Sequence, residues 1–404
     1  MSVWRDVARK YGFVEYDGPP LEPLDLYTRK SGDEIVGQLY TFTDKGGREV
    51  ALRPEMTPTL ARMVAAKANA LRKPIRWFSV PQLFRYERQQ KGRLREHFQL
   101  NVDIVGEASV AADAELLAVA IDVMRAVGLT SQDVRARVSD RQLLTAVLSE
   151  VGVKKAEMPA VFAAIDKTGR EPREVTLGKV EKAVASKEAR SGVSRILASS
   201  ADLNALAAEF RHSPEVMEIV THMREYLNFL DALGVGDWID FDLSIVRGLA
   251  YYTGKVFELF DAKGEFRAIC GGGRYDDLLS TIGGVDLPAL GFGMGDVVHT
   301  ELLRSRDLLP TPELGTEYWV AADDESMLPD VMTVAGRLRA KSRSVEYALK
   351  SQTLARQLKT ASSAGVRNVV LLRRDDYANG KVTVKTLADG SERSVALDAF
   401  LNSL

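Results

Sequence analysis

The chain has 404 residues, of which 46% are hydrophobic and 27% charged, as in an ordinary globular protein of two or three domains. Its formal net charge of -2 excludes nucleic-acid binding through a global positive field, and its single cysteine, Cys270, excludes an intrachain disulfide or a cysteine-based metal cluster. The four histidines are too widely spaced for a zinc site, and with neither an apolar run of membrane-spanning length nor a signal peptide we expect a cytoplasmic protein.

Residues 1–139 have the pattern of the first part of a core domain, in which strands pair as hairpins and helices flank them. The pattern predicts a helix over 3–11, a strand over 13–16, a hairpin of 38–43 with 49–52, a helix over 58–68, strands over 77–84 and 98–105, a helix over 109–127 and a strand over 134–138. The hairpins indicate a mainly antiparallel sheet.

A carboxylate and a hydroxyl stand at a predicted junction of strand and helix, in Leu52-Arg-Pro-Glu-Met-Thr57. Glu55 and Thr57 are suited to binding an ammonium group. Thr57 before Pro58 also fits a helix N-cap followed by proline at the first helical position. The two roles are compatible.

The predicted hairpin over 84–106 is strongly basic in its middle. Five cations face two carboxylates there: Arg85, Arg88, Lys91, Arg93 and Arg95 against Glu87 and Glu96. So many cations beside a loop at 90–92 suit a polyanion, either ATP or a nucleic-acid end. The alternative is a solvated charged hairpin, which is the usual meaning of a charge run.

Residues 140–233 differ in composition from the regions on either side, because alanine and charged residues dominate and turn signals are sparse. Helical spacing recurs over 143–151, 175–185, 203–210 and 216–233. We interpret the segment as a helical insertion that carries no chemistry of its own.

Residue patterns typical of β-strands return over 234–307, which we assign to the second part of the core. Val246-Arg-Gly-Leu-Ala-Tyr-Tyr-Thr-Gly254 projects one cation, Arg247, with two tyrosines behind it, although a bulged tyrosine-rich strand gives the same pattern. A glycine-rich loop is predicted at 269–276. Over 290–295 glycine at every second position leaves one strand face bare, either for a flat ring or for a closely packed helix.

A proline-containing linker over 308–316 precedes a third region, 317–404, in which strands and helices alternate. This spacing predicts a small, mostly parallel α/β domain. The region lacks a Gly-x-Gly-x-x-Gly fingerprint, so nucleotide binding is not implied.

The polar residues of the core suit one small zwitterion and one polyphosphate. They suggest attack by a carboxylate on the α-phosphate of ATP, a reaction that needs alignment and cations more than proton transfer. Arginine suits this role because it stays charged and makes forked contacts with phosphate and carboxylate oxygens.

At this point the chain resembles class II histidyl-tRNA synthetases over almost its whole length. Residues 52–57 resemble the family's amino-acid-binding segment, 84–99 its motif 2, 247–252 and 272–275 its two histidine-specific segments, and 288–295 the start of its motif 3. The C-terminal region is similar to the family's anticodon-binding domain. The resemblance implies an α+β catalytic core with a mainly antiparallel sheet and flanking helices.

The resemblance also implies residue roles. Arg247 and Arg85 would be the catalytic cations. The histidine site would contain Glu55, Thr57, Arg85, Gln99, Asp103, Arg247, Tyr251, Tyr252 and Tyr275. The ATP site would contain Arg85, Arg93, Gly293 and Gly295, while Arg88 and Gln90 would face the acceptor end of the tRNA. The implied partners are L-histidine, ATP with Mg²⁺, tRNA(His) and a second copy of the chain, with no protein-bound metal and no membrane.

Three departures from the family pattern stand out. Val298 occupies the position of the motif 3 arginine, and a valine cannot supply that cation to ATP. Ala250 stands where the family has aspartate. The chain also begins inside the family's first helix, so we expect a missing leading segment.

Two other functions remain open from the residues. The chain could be a non-catalytic paralogue, such as the regulatory subunit of ATP phosphoribosyltransferase. That paralogue usually lacks both the anticodon domain and the Arg247 segment, which this chain has. A histidine- or tRNA-binding protein without catalysis would be consistent with Val298.

Overall fold

The structure, a computed structural model, describes residues 1–28, 36–87, 94–166, 168, 171–246, 251–309 and 315–404. The chain divides into two compact units, Met1–Leu309 and Pro310–Leu404. Among the helices in the described ranges, none combines the length and the hydropathy needed to cross a membrane.

The first unit contains twelve strands in its described residues. In chain order they are β1 (Val14–Glu15), β2 (Leu21–Pro23), β3 (Tyr40–Thr43), β4 (Glu49–Leu52), β5 (Ile75–Ser79), β6 (Gln82–Phe84), β7 (Glu96–Val105), β8 (Val134–Asp140), β9 (Ile239–Phe241), β10 (Lys255–Asp261), β11 (Cys270–Arg274) and β12 (Ala289–Gly295). Nine of them form one sheet in the order β1-β5-β7-β12-β11-β10-β8-β9, with β6 on β7, and β2-β4-β3 form a second, small sheet. In the large sheet all pairs are antiparallel except β1–β5 and β8–β9, which confirms the predicted fold class.

The large sheet has one apolar face and one polar face, and β7 shows why. Its even-numbered residues from 100 to 104 are buried in the main hydrophobic core with the helix Val110–Ala126. Its odd-numbered residues from 99 to 103 are polar, and they point to the opposite face because side chains alternate along a strand. Burial of the apolar face therefore fixes which residues the other face presents.

Ten helices of the first unit are at least seven residues long in the described residues. They are Ser2–Lys10, Thr57–Lys67, Val110–Ala126, Arg141–Glu150, Met158–Ile165, Arg173–Ala183, Lys187–Ala198, Leu203–Glu209, Pro214–Ala232 and Asp296–Ser305. The sequence pattern did not predict Met158–Ile165, Lys187–Ala198 or Asp296–Ser305. For the second of these a start signal was present, because the Ser186 hydroxyl accepts a hydrogen bond from the amide of Ala189 at 3.2 Å.

The helical segment packs on the same core as the sheet. Helix Arg141–Glu150 begins directly after β8, and the Asp140 carboxylate caps it by accepting from the amides of Gln142 (2.7 Å) and Leu143 (3.3 Å). Apolar residues from these helices and from the sheet form one continuous cluster. Our boundaries for the insertion, at 140 and 233, and for the linker at 308–316 stay predictions.

The second unit is a five-stranded mixed sheet with helices. Its strands are β13 (Tyr318–Ala322), β14 (Val345–Tyr347), β15 (Asn368–Leu372), β16 (Lys381–Thr386) and β17 (Glu392–Ala396), and its longer helices are Leu328–Ala340 and Leu354–Ser363. The order is β14-β13-β15-β16-β17, parallel in β14-β13-β15 and antiparallel beyond. The sheet is thus less parallel than the alternating pattern suggested, because the chain closes with a hairpin.

Three local predictions were wrong. The predicted strand 77–84 is two strands, since Pro81 lies between them and its carbonyl accepts from the amide of Gln99 at 3.2 Å. The glycines at 271–273 lie within β11 and do not form a loop. Met56, and not Thr57, is the N-cap of the helix Thr57–Lys67, and it makes no side-chain capping bond.

Candidate active site

A groove (the trough) crosses the polar face of the large sheet where glycines leave that face without side chains. Its floor consists of glycines on two neighbouring strands: Gly271 and Gly273 on β11, and Gly291, Gly293 and Gly295 on β12, paired 271 with 293 and 273 with 291. On β7, beside β12, the same face carries Gln99, Asn101 and Asp103. On β10, beside β11, it carries Glu258 opposite Gly271.

The glycines of β12 make room for polar side chains of β7. A Cβ at Gly291 would lie 1.9 Å from Oδ1 of Asp103, and one at Gly293 would lie 2.8 Å from Cδ of Gln99. A closely packed helix does not explain the bare positions on this face, and the interpretation of the stripe as a place for a flat ring stays a prediction. The flanking helix packs on the opposite face, and at 291 and 293 the bare positions accommodate a carboxylate and an amide.

A cavity of about 840 Å³ opens above this trough. Five residues that the sequence singled out line it: Arg85, Gln99, Gly293, Gly295 and Val298. It is large enough for a drug-sized or nucleotide-sized ligand. These predicted site residues therefore line one cavity, although they come from β7, β12 and the segments that follow β6 and β12.

The segment that carries Glu55 is fastened to Arg85. The Arg85 side chain donates from Nε to the Pro54 carbonyl at 2.9 Å, and the amide of Phe84 donates to the Arg53 carbonyl at 3.0 Å. Glu55 is only 5% exposed. Thr57 is half-buried at the first position of its helix, two residues further on. One cation and one carboxylate are thus placed together by a few local bonds.

Three tyrosines surround the other end of the trough. Tyr251 donates to Oε2 of Glu55 at 3.3 Å, and its ring lies 5.1 Å from Tyr252 and 5.8 Å from Tyr275, between centroids. Tyr275 donates to Oδ1 of Asp103 at 2.5 Å. The amide of Thr253 donates to the Arg274 carbonyl at 2.8 Å, which holds the pair of tyrosines beside β11.

Asp103 is the most perturbed carboxyl of this face. Its complete burial raises its pKa to about 7, against the opposing effect of the hydrogen bond from Tyr275. Burial, and next the charge of Asp103, raise the pKa of Tyr275 well above its ordinary value. Near pH 7 Asp103 is therefore only partly ionised, and its carboxylate form can accept an N–H group from a ligand ring.

His97 is a cavity residue that the sequence reading did not single out. It precedes Gln99 by two positions on β7, so the alternation along this strand was a signal for it. Burial, assisted by the charge of Arg85, lowers its pKa to about 4. The imidazole is therefore neutral at pH 7 and presents a flat, uncharged ring to the cavity.

Two further arginines of the cavity were also missed, as were four carboxylates: Asp166, Glu258, Asp261 and Glu265. Arg137 lies on β8 opposite Glu258, with its guanidinium carbon 4.9 Å from the centroid of Phe260 and an Nη1 3.7 Å from Oδ2 of Asp242. Arg267 lines the same space. Strand β8 alternates apolar and basic residues, but only the sheet order shows which basic residues reach the cavity.

Several residues of our predictions lie outside the described ranges: Arg88, Gln90, Arg93, Arg247 and Ala250. Val246, the residue before Arg247, lines the cavity. Within the ranges that the structure describes, no group of three or more His, Cys, Asp or Glu side chains is placed to hold a metal ion.

Family comparisons cover nearly the whole chain. A family model described as "Histidyl-tRNA synthetase" matches residues 2–295, and one described as "Anticodon binding domain" matches residues 316–404. The "Histidine--tRNA ligase" of Opitutus terrae is 43% identical over 97% of this chain and 90% of its own length. The "Histidine--tRNA ligase, chloroplastic/mitochondrial" of Arabidopsis thaliana is 41% identical over 98% of this chain and 80% of its own length.

Solved structures show the same fold. A histidyl-tRNA synthetase from Nostoc sp. PCC 7120 superposes with a TM-score of 0.83 at 24% identity, over 100% of this chain and 94% of that one. A Bacillus halodurans protein titled "ATP phosphoribosyltransferase regulatory subunit/histidyl-tRNA synthetase" gives 0.75 at 22% identity, over 92% of both chains.

Proposed function

The chain belongs to the histidyl-tRNA synthetase family, and we propose that it ligates L-histidine to tRNA(His) through a histidyl-adenylate. The observation that supports this proposal is a nucleotide-sized cavity lined by Arg85 and Gln99. Asp103 lies on the same sheet face as Gln99, and Glu55 follows Pro54, whose carbonyl accepts from Arg85. The chemistry of these side chains fits a zwitterionic amino acid next to a polyphosphate.

In the first step the histidine carboxylate attacks the α-phosphate of ATP. A bond forms between the carboxylate oxygen and phosphorus, and the bond from phosphorus to the bridging oxygen breaks, which releases pyrophosphate. In the second step a hydroxyl of the tRNA terminal ribose attacks the activated carbonyl and AMP leaves. Both steps gain from aligned reactants and fixed cations. Mg²⁺ enters with ATP as part of the substrate.

We propose the following roles for the residues that bind histidine. Glu55, with Thr57, binds the α-ammonium group, and the buried position of Glu55 makes that ion pair strong because little water competes. Gln99 joins the amino-acid site. Asp103 accepts the imidazole N–H, while Tyr251, Tyr252 and Tyr275 enclose the ring.

We propose that binding of ATP depends on arginine residues. Arg85 contacts the α-phosphate and the histidine carboxylate, since its cation lines the cavity while its Nε is held by Pro54. Arg93 would bind the distal phosphates. The small residues Gly293 and Gly295 leave space for the nucleotide.

Val298 lines the same cavity and supplies no charge. We propose that Arg137 and Arg267, which reach this cavity from β8 and from the segment after β10, supply the positive charge that the motif 3 position lacks. Because arginine stays charged, either can hold phosphate oxygens at any physiological pH.

The remaining roles rest on the family resemblance. Arg247 is proposed as the catalytic cation of adenylate formation, and Arg88 and Gln90 as contacts to the tRNA acceptor end. The second unit, which matches an anticodon-binding domain, is proposed to bind the anticodon. A homodimer in the cytoplasm is proposed as the working form.

The regulatory-subunit alternative is not favoured. The chain has the match to an anticodon-binding domain over residues 316–404, and its similar relatives are named as ligases over nearly their full lengths. The Bacillus halodurans structure, at 22% identity, supports only the fold.

Two assays test the proposal with the full chain. Histidine-dependent exchange of pyrophosphate into ATP measures the first step, and charging of tRNA(His) measures the second. Both should occur, and other amino acids should not replace histidine. Absence of exchange together with intact tRNA binding would instead indicate a binding protein, and association with a phosphoribosyltransferase without tRNA binding would indicate a regulatory subunit.

A further inference from the structure

Arg141 lies where the sheet joins the helical segment that we interpreted as an insertion without chemistry of its own. It is the first residue of the helix Arg141–Glu150, directly after β8. Its amide donates to the Gly254 carbonyl at 3.0 Å, and its Nη1 donates to the Val246 carbonyl at 3.4 Å. The backbone and the side chain of one residue therefore hold the chain at two points, on either side of residues 247–253.

The segment between these two points contains Arg247, the cation to which we assign adenylate formation. Residues 247–250 lie outside the described ranges, whereas Val246 and Gly254 lie within them. Val246 is buried and lines the candidate ATP cavity. Because a peptide unit is planar, the Val246 carbonyl shares one rigid plane with the nitrogen and the Cα of the next residue, Arg247. A hydrogen bond to this carbonyl therefore restrains the direction in which the chain enters Arg247.

An ion pair beside Arg141 fixes the backbone on which it stands. Asp140 is the register partner of Lys255 on β10, and its Oδ2 lies 3.7 Å from the Lys255 Nζ. The two side chains are only 3% and 12% exposed, so water screens their attraction little. Asp140 also caps the helix that Arg141 begins. Arg141 and Gly254, the chain neighbours of this pair, are therefore held close together as well.

An aromatic ring of the next helix orients the Arg141 side chain. The guanidinium carbon of Arg141 lies 5.2 Å from the ring centroid of Phe162, in the helix Met158–Ile165. A guanidinium over an aromatic ring is attracted to it and keeps a defined direction. Asp166, which follows this helix, lines the cavity. The helical segment thus touches the cavity directly and also guides the cation that holds Val246.

We propose that Arg141 is a positioning residue for adenylate formation, which orients the segment of Arg247 through the Val246 carbonyl. The proposal rests on the function proposed above and on the role of Arg247 in it. Arg141 is not among the described residues that line the cavity, so its contribution passes through the polypeptide and not through contact with ATP. It gives the helical segment a part in the first chemical step.

The test uses Arg141→Met in the full chain. Methionine keeps an unbranched apolar side chain but has neither the charge nor the donors, and the backbone bond to Gly254 stays. In pyrophosphate exchange kcat should fall by about tenfold to a hundredfold, because a small misplacement of a catalytic group is costly. The KM values for histidine and for ATP should each stay within about twofold. An unchanged kcat in the folded variant would overturn the proposal.

The transfer step separates positioning of Arg247 from general damage to the site. Long preincubation with histidine, ATP and pyrophosphatase accumulates the adenylate on the enzyme, and transfer to tRNA(His) is then followed in a single turnover. Because we assign Arg247 to adenylate formation, Arg141→Met should transfer histidine at the wild-type rate. An equal loss in both steps would indicate a distorted site and would also overturn the proposal.

Arg125→Met is the matched control. Arg125 likewise donates to a backbone carbonyl, that of Gly234, and its guanidinium carbon lies 5.6 Å from the ring centroid of Trp238. The substitution removes the same groups from an arginine that is not among the described cavity residues, so kcat should not change. If Arg141→Met folds poorly by circular dichroism, Phe162→Leu, which removes the ring beside the guanidinium, is judged by the same criteria.

Failure of this proposal can be told apart from failure of the proposed function. A wild-type chain without histidine-dependent exchange would refute the function itself. An active wild type, with normal exchange in Arg141→Met, would refute only the role of Arg141.

Discussion

Replacement of Asp103 by asparagine should stabilise the free protein and impair its use of histidine. Asp103 is buried on the polar face of the sheet, where it accepts from Tyr275. Asparagine has nearly the same shape, and its amide oxygen can accept the same hydrogen bond. The substitution therefore removes mainly the cost of a buried negative charge.

The size of the stabilisation by Asp103→Asn, and its dependence on pH, follow from the pKa of Asp103. Burial raises this pKa from 3.8 to about 7, which corresponds to about 4 kcal/mol at about 1.4 kcal/mol per pH unit. Between these two values the unfolded chain is ionised while the folded chain keeps the proton. The free energy of unfolding of wild type therefore falls as pH rises through this window, and the cost is fully present above pH 7.

Urea unfolding of the full chain at pH 5.5 and at pH 8.5 measures this effect. Hydrogen exchange of peptides from β7 and β12 identifies the transition that belongs to the first unit. The stability gain of Asp103→Asn over wild type should be about 2 kcal/mol larger at pH 8.5 than at pH 5.5. The reason is that the pKa of Asp103 in the folded chain, about 7, lies about 1.5 pH units above the lower pH. Comparison of two pH values cancels any pH-independent change in packing.

Asp6→Asn, at an exposed position of the first helix, controls for the loss of a charge alone and should show no such difference. A gain for Asp103→Asn that is equal at the two pH values would refute the reasoning, because Asp103 would then not ionise within this range. The same variant should show a raised KM for histidine in pyrophosphate exchange, with the KM for ATP little changed.

Three further substitutions test separate parts of the site. Arg247→Ala should abolish adenylate formation with an unchanged circular dichroism spectrum, and near-normal exchange would exclude its catalytic role. Arg137→Gln should raise the KM for ATP by about tenfold without affecting the KM for histidine, because it removes one charge-assisted contact; an unchanged KM would show that Arg137 does not replace the motif 3 cation. Gly291→Ala should cost ~1–3 kcal/mol of stability and weaken histidine binding, since its Cβ would lie 1.9 Å from Oδ1 of Asp103, and calorimetry that shows wild-type stability would contradict that packing.

Much of the fold could be predicted because its signals are local. The helix Val110–Ala126 and the strand Ala289–Gly295 lie within a residue of their predicted bounds, since helical and strand periodicities are set by neighbouring residues. The errors arose where the local signal was ambiguous. The glycines at 271–273 read as a loop, and only the pairing with β10 and β12 shows that they are a strand.

The candidate site was predicted unevenly for a similar reason. Glu55 and Arg85 stood in recognisable motifs, whereas His97 and Arg137 carried no motif. These two residues lie on β7 and on β8, and they line the same cavity only because of the order of strands in the sheet. No spacing along the chain encodes that order.

The sequence by itself determined most of the helices and strands, which chemical groups are available and which family the chain resembles, because these depend on residue type and on near neighbours. Only the tertiary structure decided which side chains meet. It placed Asp103 against Gly291, joined Arg85 to the segment of Glu55, and brought Arg141 to the Val246 carbonyl. The physical reason is that burial and long-range pairing set the local dielectric and the hydrogen-bond partners, and these in turn set the pKa values and the specificity of the site.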